Sequence, residues 1–487
     1  MHLLLAQKGS LADADEAIDL GQQPADLIFI SAADTELACL SAARAQTDDG
    51  ISLRLANLTA LSHPMSIDVY CEKTVTGSRA VIVRCLGGEA YWSYGLETVH
   101  ATCVANGIPL IVVPGDDKPD ASLDRFNTAS EVDRLLVWSY LNHGGVTNAA
   151  SLLEYVGEML AGADTRAAEP APLLKAGLWW PGEAAPTLSD VQAGWLADAP
   201  ATSIIFYRAL LQSGNTEPIA QLIEALRKSG VNALPIFISS LKDAVSQETV
   251  RGLFSDAQPS VVINMTGFAV SSPDGQRQPT VLEEGSAVVL QAVLAANSEE
   301  AWLASDQGLT SRDLAMNVAL PEVDGRVLAR AIAFKNAETF DDATQANIVR
   351  HVAEPGRVSF VAQLAANWCR LRAASVSDRR VALVLANYPN RDGRLGNGVG
   401  LDTPAGTVEV LNAMGKQGYE VGDLPADGNA LIDELIAGPT NAATDSREIR
   451  ETLSLNQYKA FFDELPVENQ NQVVERWGAP ENDPFFL

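Results

Sequence analysis

The chain has 487 residues, 47% of them apolar and 20% charged, with 36 glycines and 24 prolines. At roughly 150 residues per domain this length predicts about three domains with cores of their own, and the composition excludes collagen, coiled coil and wholesale disorder. Sixty-two acidic against 34 basic residues give a net charge of −28. Such a chain repels nucleic acid and anionic lipid at long range, so an anionic ligand needs a local excess of cations.

The N-terminus, Met1 to Lys8, has neither the basic segment nor the apolar length of a secretory signal, so the expected location is cytoplasmic. Short apolar runs then alternate with amphipathic ones. His2–Gln7, Ala25–Ser31, Ser52–Asn57, Arg79–Leu86 and Ile108–Val113 read as strands. Most are continuously apolar, as strands buried on both faces of a parallel sheet must be. Helices are expected at Asp34–Arg44, at Met65–Thr74 behind Pro64, and at Glu89–Ala105 ahead of Asn106-Gly107. Ser130–Leu141 and Asn148–Leu160 add two more. The first domain therefore spans 1–165, and the Ala/Pro-rich stretch Ala161–Pro172 reads as a linker.

A second domain, 173–375, repeats the pattern, with strands at Lys175–Trp180, Ser203–Tyr207, Ala233–Ile238 and Ser260–Met265 and helices at Glu217–Lys228 and Asp243–Phe254. Ser213-Gly214-Asn215-Thr216 reads as a connecting loop, with anion binding at the following helix start as the alternative. Val288–Ala295, Glu299–Leu303 and Ser311–Val318 read as helical or irregular, since periodicity does not separate the two. No apolar run approaches the ~18 residues of a membrane span; the longest, such as Val381–Ala386 and Ile108–Pro114, are strand-sized.

The third domain, 376–487, opens with an expected strand, Arg380–Ala386, then the loop Asn387–Asp402, then a helix from Thr403-Pro404 to about Lys416, with Thr403 as N-cap. An amphipathic helical tail, Ser454–Trp477, follows. The ending Phe485-Phe486-Leu487 is apolar and closes no fold, which predicts a truncated domain unless the tail docks into its own core. The fold class expected overall is α/β: successive doubly wound, Rossmann-like or flavodoxin-like parallel-sheet domains with added helices.

Open α/β sheets bind ligands beyond the carboxyl ends of their strands, which singles out the Asn387–Asp402 loop. Gly393, Gly396, Gly398 and Gly400 permit positive φ and close backbone approach, while Asn387, Asn390 and Asn397 supply amide donors and acceptors. Arg391 and Arg394 add two forked cations suited to carboxylate or carboxamide groups. An irregular turn is the competing reading.

Other chemistries lack support. No G-x-x-x-x-G-K-[ST] occurs, and the G-x-G of Gly396 and Gly398 meets Leu401 where a further glycine would be needed, so the chain is not expected to hydrolyse ATP. His2, His63, His100, His143 and His351 are scattered, and Cys39, Cys71, Cys85, Cys103 and Cys369 form no C-x-x-C pair. No metal site and no disulfide framework are expected, only buried reduced thiols. There is no G-x-S-x-G elbow, and no catalytic residue is named.

Several segments together carry a resemblance: Met1–Gly9, Ala17–Gly21, Ala25–Leu37, Leu178-Trp-Trp-Pro-Gly182, Asp313–Glu322, Asp324-Gly-Arg326 and, most specific, Ala386–Pro404. Through them the chain resembles the N-terminal portion of the large subunits of aerobic cobaltochelatases, a family related to the porphyrin-binding large subunit of magnesium chelatase. The resemblance implies binding of hydrogenobyrinic acid a,c-diamide and insertion of Co²⁺ in aerobic cobalamin biosynthesis. It further implies AAA+ partner subunits that hydrolyse ATP with Mg²⁺ to drive the step. On this reading Asn387, Asn390, Arg391, Arg394, Gly396, Asn397, Gly398, Asp402 and Thr403 are the candidate substrate contacts. Members of the family are far longer, which leaves a non-catalytic scaffold or docking fragment as the alternative. A free-standing small-ligand protein of the periplasmic type ranks last for want of an export signal.

Overall fold

A computed structural model describes residues 17–46, 50–85, 87–163, 167–272, 275, 277, 279–335, 339–387, 394–438, 452–483 and 486. The expected strand at 2–7 lies outside them, as do Asn390, Arg391, Gly393 and most of the apolar ending. The chain divides into two compact units, Met1–Arg370 and Leu371–Leu487.

The first unit holds two lobes, each built on a parallel sheet. In the first lobe β1 (Leu27–Ser31), β2 (Leu53–Asn57), β3 (Ala80–Cys85) and β4 (Leu110–Pro114) run parallel in the order β2-β1-β3-β4. Alternate residues of β1 explain its unbroken apolar run. Leu27 and Phe29 enter the core on one face, with Leu37, Leu40 and Leu152. Ile28 and Ile30 enter the other, with Ile67, Leu96 and Val99. The helices Asp34–Arg44, Pro64–Lys73 and Val146–Ala161 lie close to their expected positions. The helix expected from Glu89 begins instead at Ser93, because Gly88 at φ +71° and a non-helical Trp92 limit Glu89–Tyr91 to one tight turn.

The second lobe contains β5 (Ala176–Leu178), β6 (Ala201–Tyr207), β7 (Asn232–Ile238), β8 (Val261–Asn264), β9 (Val288–Leu294), β10 (Val327–Lys335) and β13 (His351–Ala353), in the order β13-β10-β9-β8-β6-β7-β5. Its five inner strands are parallel, and the edges β5 and β13 are antiparallel. β9 corrects the helical or irregular reading of Val288–Ala295: VVLQAVL is apolar on both faces because β8 and β10 flank it and helices cover it.

Between β10 and β13 the chain leaves its own sheet. The hairpin β11 (Thr339–Asp341) and β12 (Ala346–Ile348) reaches the first lobe and buries Ala346 and Ile348 in that lobe's core. Leu55 N donates to Thr344 O at 3.3 Å, Gln22 Nε2 to Gln345 O at 2.8 Å and Ser41 Oγ to Asp341 Oδ2 at 2.8 Å. The lobes are thus joined twice, since the Ala161–Pro172 linker is also fastened, by Ala171 N to Asn148 Oδ1 at 2.8 Å and Asn148 Nδ2 to Ala171 O at 2.9 Å.

The described residues of the second unit form the helices Thr403–Lys416, Gly428–Ala437, Leu455–Phe462 and Val467–Trp477. Arg380–Ala386, expected as a strand, joins no ladder, and Val384 is 92% exposed. A β-prone run needs a neighbouring strand to satisfy its backbone, and the described residues of this unit supply none beyond the isolated bridges Asn387↔Leu395 and Gly398↔Leu401. Among the described residues no helix is long and apolar enough to cross a membrane.

Candidate functional site

The carboxyl ends of the parallel strands of both lobes open onto one cleft of about 2710 Å³, built wholly from the first unit. That exceeds the roughly 300–1,000 Å³ of ordinary small-molecule sites, so it admits a large ligand. Strand order reverses between β1 and β3 in one sheet and between β6 and β8 in the other. At such switch points loops diverge and leave a crevice. The walls are the residues at and beyond the strand ends: Asp34 after β1, Asn57 closing β2 and Thr59 after it, Tyr91 and Tyr94 after β3, Arg208 after β6, Lys242 after β7, Met265–Ser272 after β8, Asn297 after β9, and Lys335 closing β10.

Charge in the cleft runs against the charge of the chain. Its described lining carries the cations Arg208, Lys242, Arg312, Lys335 and Arg350 against the carboxylates Asp34, Glu300 and Asp313. A cation-rich wall in a chain of net charge −28 is the local exception that an anionic ligand requires. Tyr91 and Tyr94 are 45% and 44% exposed and add apolar ring surface.

The loop after β8 is the most constrained part of the wall. Phe268 lies at φ +63°, a backbone region costly for a bulky residue. A Cβ at Gly267 would come within 2.8 Å of Asn317 Oδ1 and 3.0 Å of Met316 O, so only glycine permits this approach. Phe268 N donates to Met316 O at 2.8 Å, and Tyr207 Oη donates to Gly267 O at 3.1 Å. Asp324 anchors the loop's far side, accepting from Val270 N at 2.7 Å and Ser271 N at 3.0 Å while pairing with Arg326 at 2.7 Å. Burial pushes the Asp324 carboxyl up, but those N–H donors and the guanidinium outweigh it and hold the group below the usual carboxylate range. Asp313 plays the same part for the loop after β9, accepting from Ala296 N at 3.0 Å, Thr310 Oγ1 at 2.9 Å and Asn317 Nδ2 at 3.1 Å. The segments Asp313–Glu322 and Asp324–Arg326, singled out in the sequence, therefore brace the cleft wall.

At the end of the second sheet Lys335 and His351 are register partners on β10 and β13, and both line the cleft. Burial lowers the Lys335 ammonium to about 8, against the pull of Asp34 and Asp313 and with a further push from Arg312. Burial, then the Lys335 charge, lowers His351 to about 4, with an opposing backbone hydrogen bond to Ala295. Asn215 Nδ2 donates to His351 Nδ1 at 3.0 Å. The Ser213–Thr216 segment thus braces a histidine, and Ser213 and Asn215 are buried.

The Asn387–Thr403 residues lie in the second unit. Gly396, at φ +65°, donates its N–H to Ala386 O at 2.9 Å, and Asn397 N donates to Arg394 O at 3.1 Å. Asn387 is half-buried and bridged to Leu395, Arg394 and Asn397 are exposed, and Gly398 pairs with Leu401. A Cβ at Gly398 would meet Thr403 Oγ1 at 2.6 Å. The helix cap is Asp402, whose Oδ1 accepts from Ala405 N at 3.0 Å, and Thr403 is the first helical residue rather than the cap. Asp402 wins because it is the residue whose side chain reaches the N–H three positions on. Asn390 and Arg391 lie outside the described residues. The sequence singles out neither Phe268 nor Lys335 and reads His351 as an ordinary packed or surface histidine; that Lys335 closes β10 and His351 opens the edge strand β13 beside it emerges only from the strand pairing.

All five cysteines are buried, and among the described residues no group of three His, Cys, Asp or Glu side chains is disposed to hold a metal ion.

The CobN/Magnesium Chelatase family model matches residues 138–486. The chain is 56% identical over its full length to the aerobic cobaltochelatase subunit CobN of Sinorhizobium sp., of which it covers 39%. It is 40% identical, again over its full length, to the subunit of the same name from Pseudomonas aeruginosa, of which it also covers 39%. Among solved structures, the catalytic subunit of cobaltochelatase from Mycobacterium tuberculosis is 30% identical with a TM-score of 0.72, over 94% of this chain and 36% of that one. The chain therefore spans about two fifths of the length of the curated relatives it matches.

Proposed function

The chain belongs to the CobN/magnesium chelatase family, and from that premise we propose that it forms the N-terminal portion of the large, tetrapyrrole-binding subunit of an ATP-dependent cobaltochelatase. The substrate is hydrogenobyrinic acid a,c-diamide, the inserted metal is Co²⁺, and AAA+ partner subunits in the cytoplasm hydrolyse the ATP. The observation that carries this reading is the interlobe cleft, large, ring-lined and locally cationic in an acidic chain. A macrocycle with carboxylate and carboxamide arms needs a broad apolar wall for its face and separated donors for its rim.

Insertion must strip water from Co²⁺ and remove two ring N–H protons. The part proposed for this portion is to hold the macrocycle so that its face is presented to the metal. Cleft cations meet the arms, while the braced loops after β8 and β9 exclude water and fix the ring's tilt. Asn387, Asn390, Arg391, Arg394, Gly396, Asn397, Gly398, Asp402 and Thr403 remain a separate set of candidate arm contacts, with Asp402 acting through its cap on the helix Thr403–Lys416.

Exposed apolar residues of the second unit, including Val399 at 100% and Leu401 at 77% exposure, favour a second reading in which this portion docks partner subunits without binding substrate. Titrating hydrogenobyrinic acid a,c-diamide into the chain and into the double variant Arg391→Ala/Arg394→Ala separates the readings. Saturable binding is expected, weakened roughly tenfold in the double variant if the loop contacts arms. Equal affinities remove the loop from substrate binding. Co-elution with the ATPase subunits without affinity for the corrin precursor selects the docking reading.

A further inference from the structure

Lys335 lines the cleft at the carboxyl end of β10, and its Nζ has no hydrogen-bond or ion-pair partner among the described residues. Lys335 is half-buried, so its ammonium is partly withdrawn from water while its donors stay unspent on protein, which makes it a ready partner for an arriving anion. The nearby carboxylates are engaged elsewhere. Asp313 already accepts from Ala296, Thr310 and Asn317, and Asp34 Oδ1 accepts from Asn57 Nδ2 at 2.6 Å. His351 stands opposite Lys335 in register, its Nδ1 filled by Asn215. It is a fixed neutral neighbour that neither repels an incoming anion nor competes for it.

We infer that Lys335 is the centre of an anion subsite in the interlobe cleft, receiving one carboxylate of the bound ligand, with Arg312 as the second cation beside it. The inference rests on the cleft reading proposed above and deepens it: of the ligand's several free-acid arms, one is read here by charge. The groups that face Lys335 are Asp34 from the first lobe, Arg312 and Asp313 from the turn before the Met316 segment, and His351 from β13. A bound carboxylate adds a negative charge to this set and raises the ammonium's proton affinity. Binding therefore weakens as pH rises above the value at which the lysine of the empty site deprotonates, and levels off once the bound lysine also loses its proton.

Two measurements test this on the intact chain. In the first, trace acylation of amines across a pH series is read at the Lys335 peptide by mass spectrometry, with glutarate as the carboxylate probe and chloride at matched ionic strength as the control. Glutarate should slow acylation of Lys335 severalfold and move its titration upward, while chloride does neither. In the second, hydrogenobyrinic acid a,c-diamide and its fully methylated ester are titrated into the wild type, K335M and K335R. K335M should weaken binding of the acid at least tenfold and leave the ester unchanged, and K335R should retain most of the affinity for the acid.

Acylation indifferent to glutarate, or equal affinity of wild type and K335M for the acid, overturns the subsite. Protection of Lys335 by glutarate in a chain that binds neither acid nor ester sustains the subsite and sinks the corrin reading instead.

Discussion

Replacing Asp324 by alanine should cost the first unit about 3–5 kcal/mol. Asp324 and Arg326 are 0% and 1% exposed at their side chains. The guanidinium already leaves Nε without a partner and reaches Thr266 O only at 3.3 Å. Removing the carboxylate strands that charge in the interior, which by itself is worth about 3–5 kcal/mol. It also frees Val270 N and Ser271 N, which would add about 1–3 kcal/mol each if they stayed dry. They border the cleft and can find water, so the total stays near the ion-pair figure. Asp324→Asn keeps one acceptor and should fall between alanine and wild type. The paired change Asp324→Leu/Arg326→Met removes both charges and should be far less damaging than Asp324→Ala alone.

Urea unfolding gives the energies, and amide exchange at Val270 and Ser271 reports the loop itself. Because the folded carboxyl is held below its usual value, its contribution is full above the unfolded pKa and drains away as pH falls through the folded one. The gap between wild type and Asp324→Ala should therefore persist at neutral pH and close below about pH 4. A loss under about 1 kcal/mol with unchanged exchange would refute the bracing argument. Equal damage from the paired change and the single one would show that volume, not charge, was responsible.

Phe268→Gly should leave stability unchanged or raise it, since glycine relieves the positive φ. It should also weaken corrin binding if the ring is held in that conformation for contact, so a loss of stability with undiminished affinity would contradict a functional strain. His351, lowered by burial to about 4, favours the folded state only while neutral: its contribution is complete above pH 6.5 and disappears as pH drops toward 4. Between pH 7 and pH 5 the wild type should lose about 2 kcal/mol more than His351→Gln, as read from urea midpoints. Burial pushes the Cys39 thiol up to about 12 and those of Cys71 and Cys85 up to about 11. Iodoacetamide should thus leave these three unlabelled in the native chain and label them in urea, as mass spectrometry would register.

Much of the architecture could be read from local pattern. Leu27–Ser31, Ala80–Cys85 and Ala201–Tyr207 are mostly apolar and buried almost throughout because helices cover both faces of their sheets. That single fact identifies parallel α/β lobes. Helices with clear stops, such as Asp34–Arg44 and Glu217–Lys228, carried their boundaries in their own residues. The same reasoning failed at Val288–Leu294, where an apolar run suits strand or helix alike, and at Arg380–Ala386, where a strand-like run lacks a partner among the described residues. The Asn387–Thr403 loop was visible through its glycines, asparagines and arginines, and the cleft was not, because its walls come from strand ends hundreds of residues apart.

The class of fold, the chain's acidity and its kinship are all local matters, since composition, periodicity and motif are properties of neighbouring residues. Tertiary structure alone decided that the Thr339–Ile348 hairpin would cross to fill another lobe's core, and that Lys335 would meet His351 beside Asp34 and Asp313. It alone also set Phe268 in a strained turn against Met316. Those arrangements depend on register and on contacts between distant segments, whose energies no stretch of chain contains until the whole has closed around them.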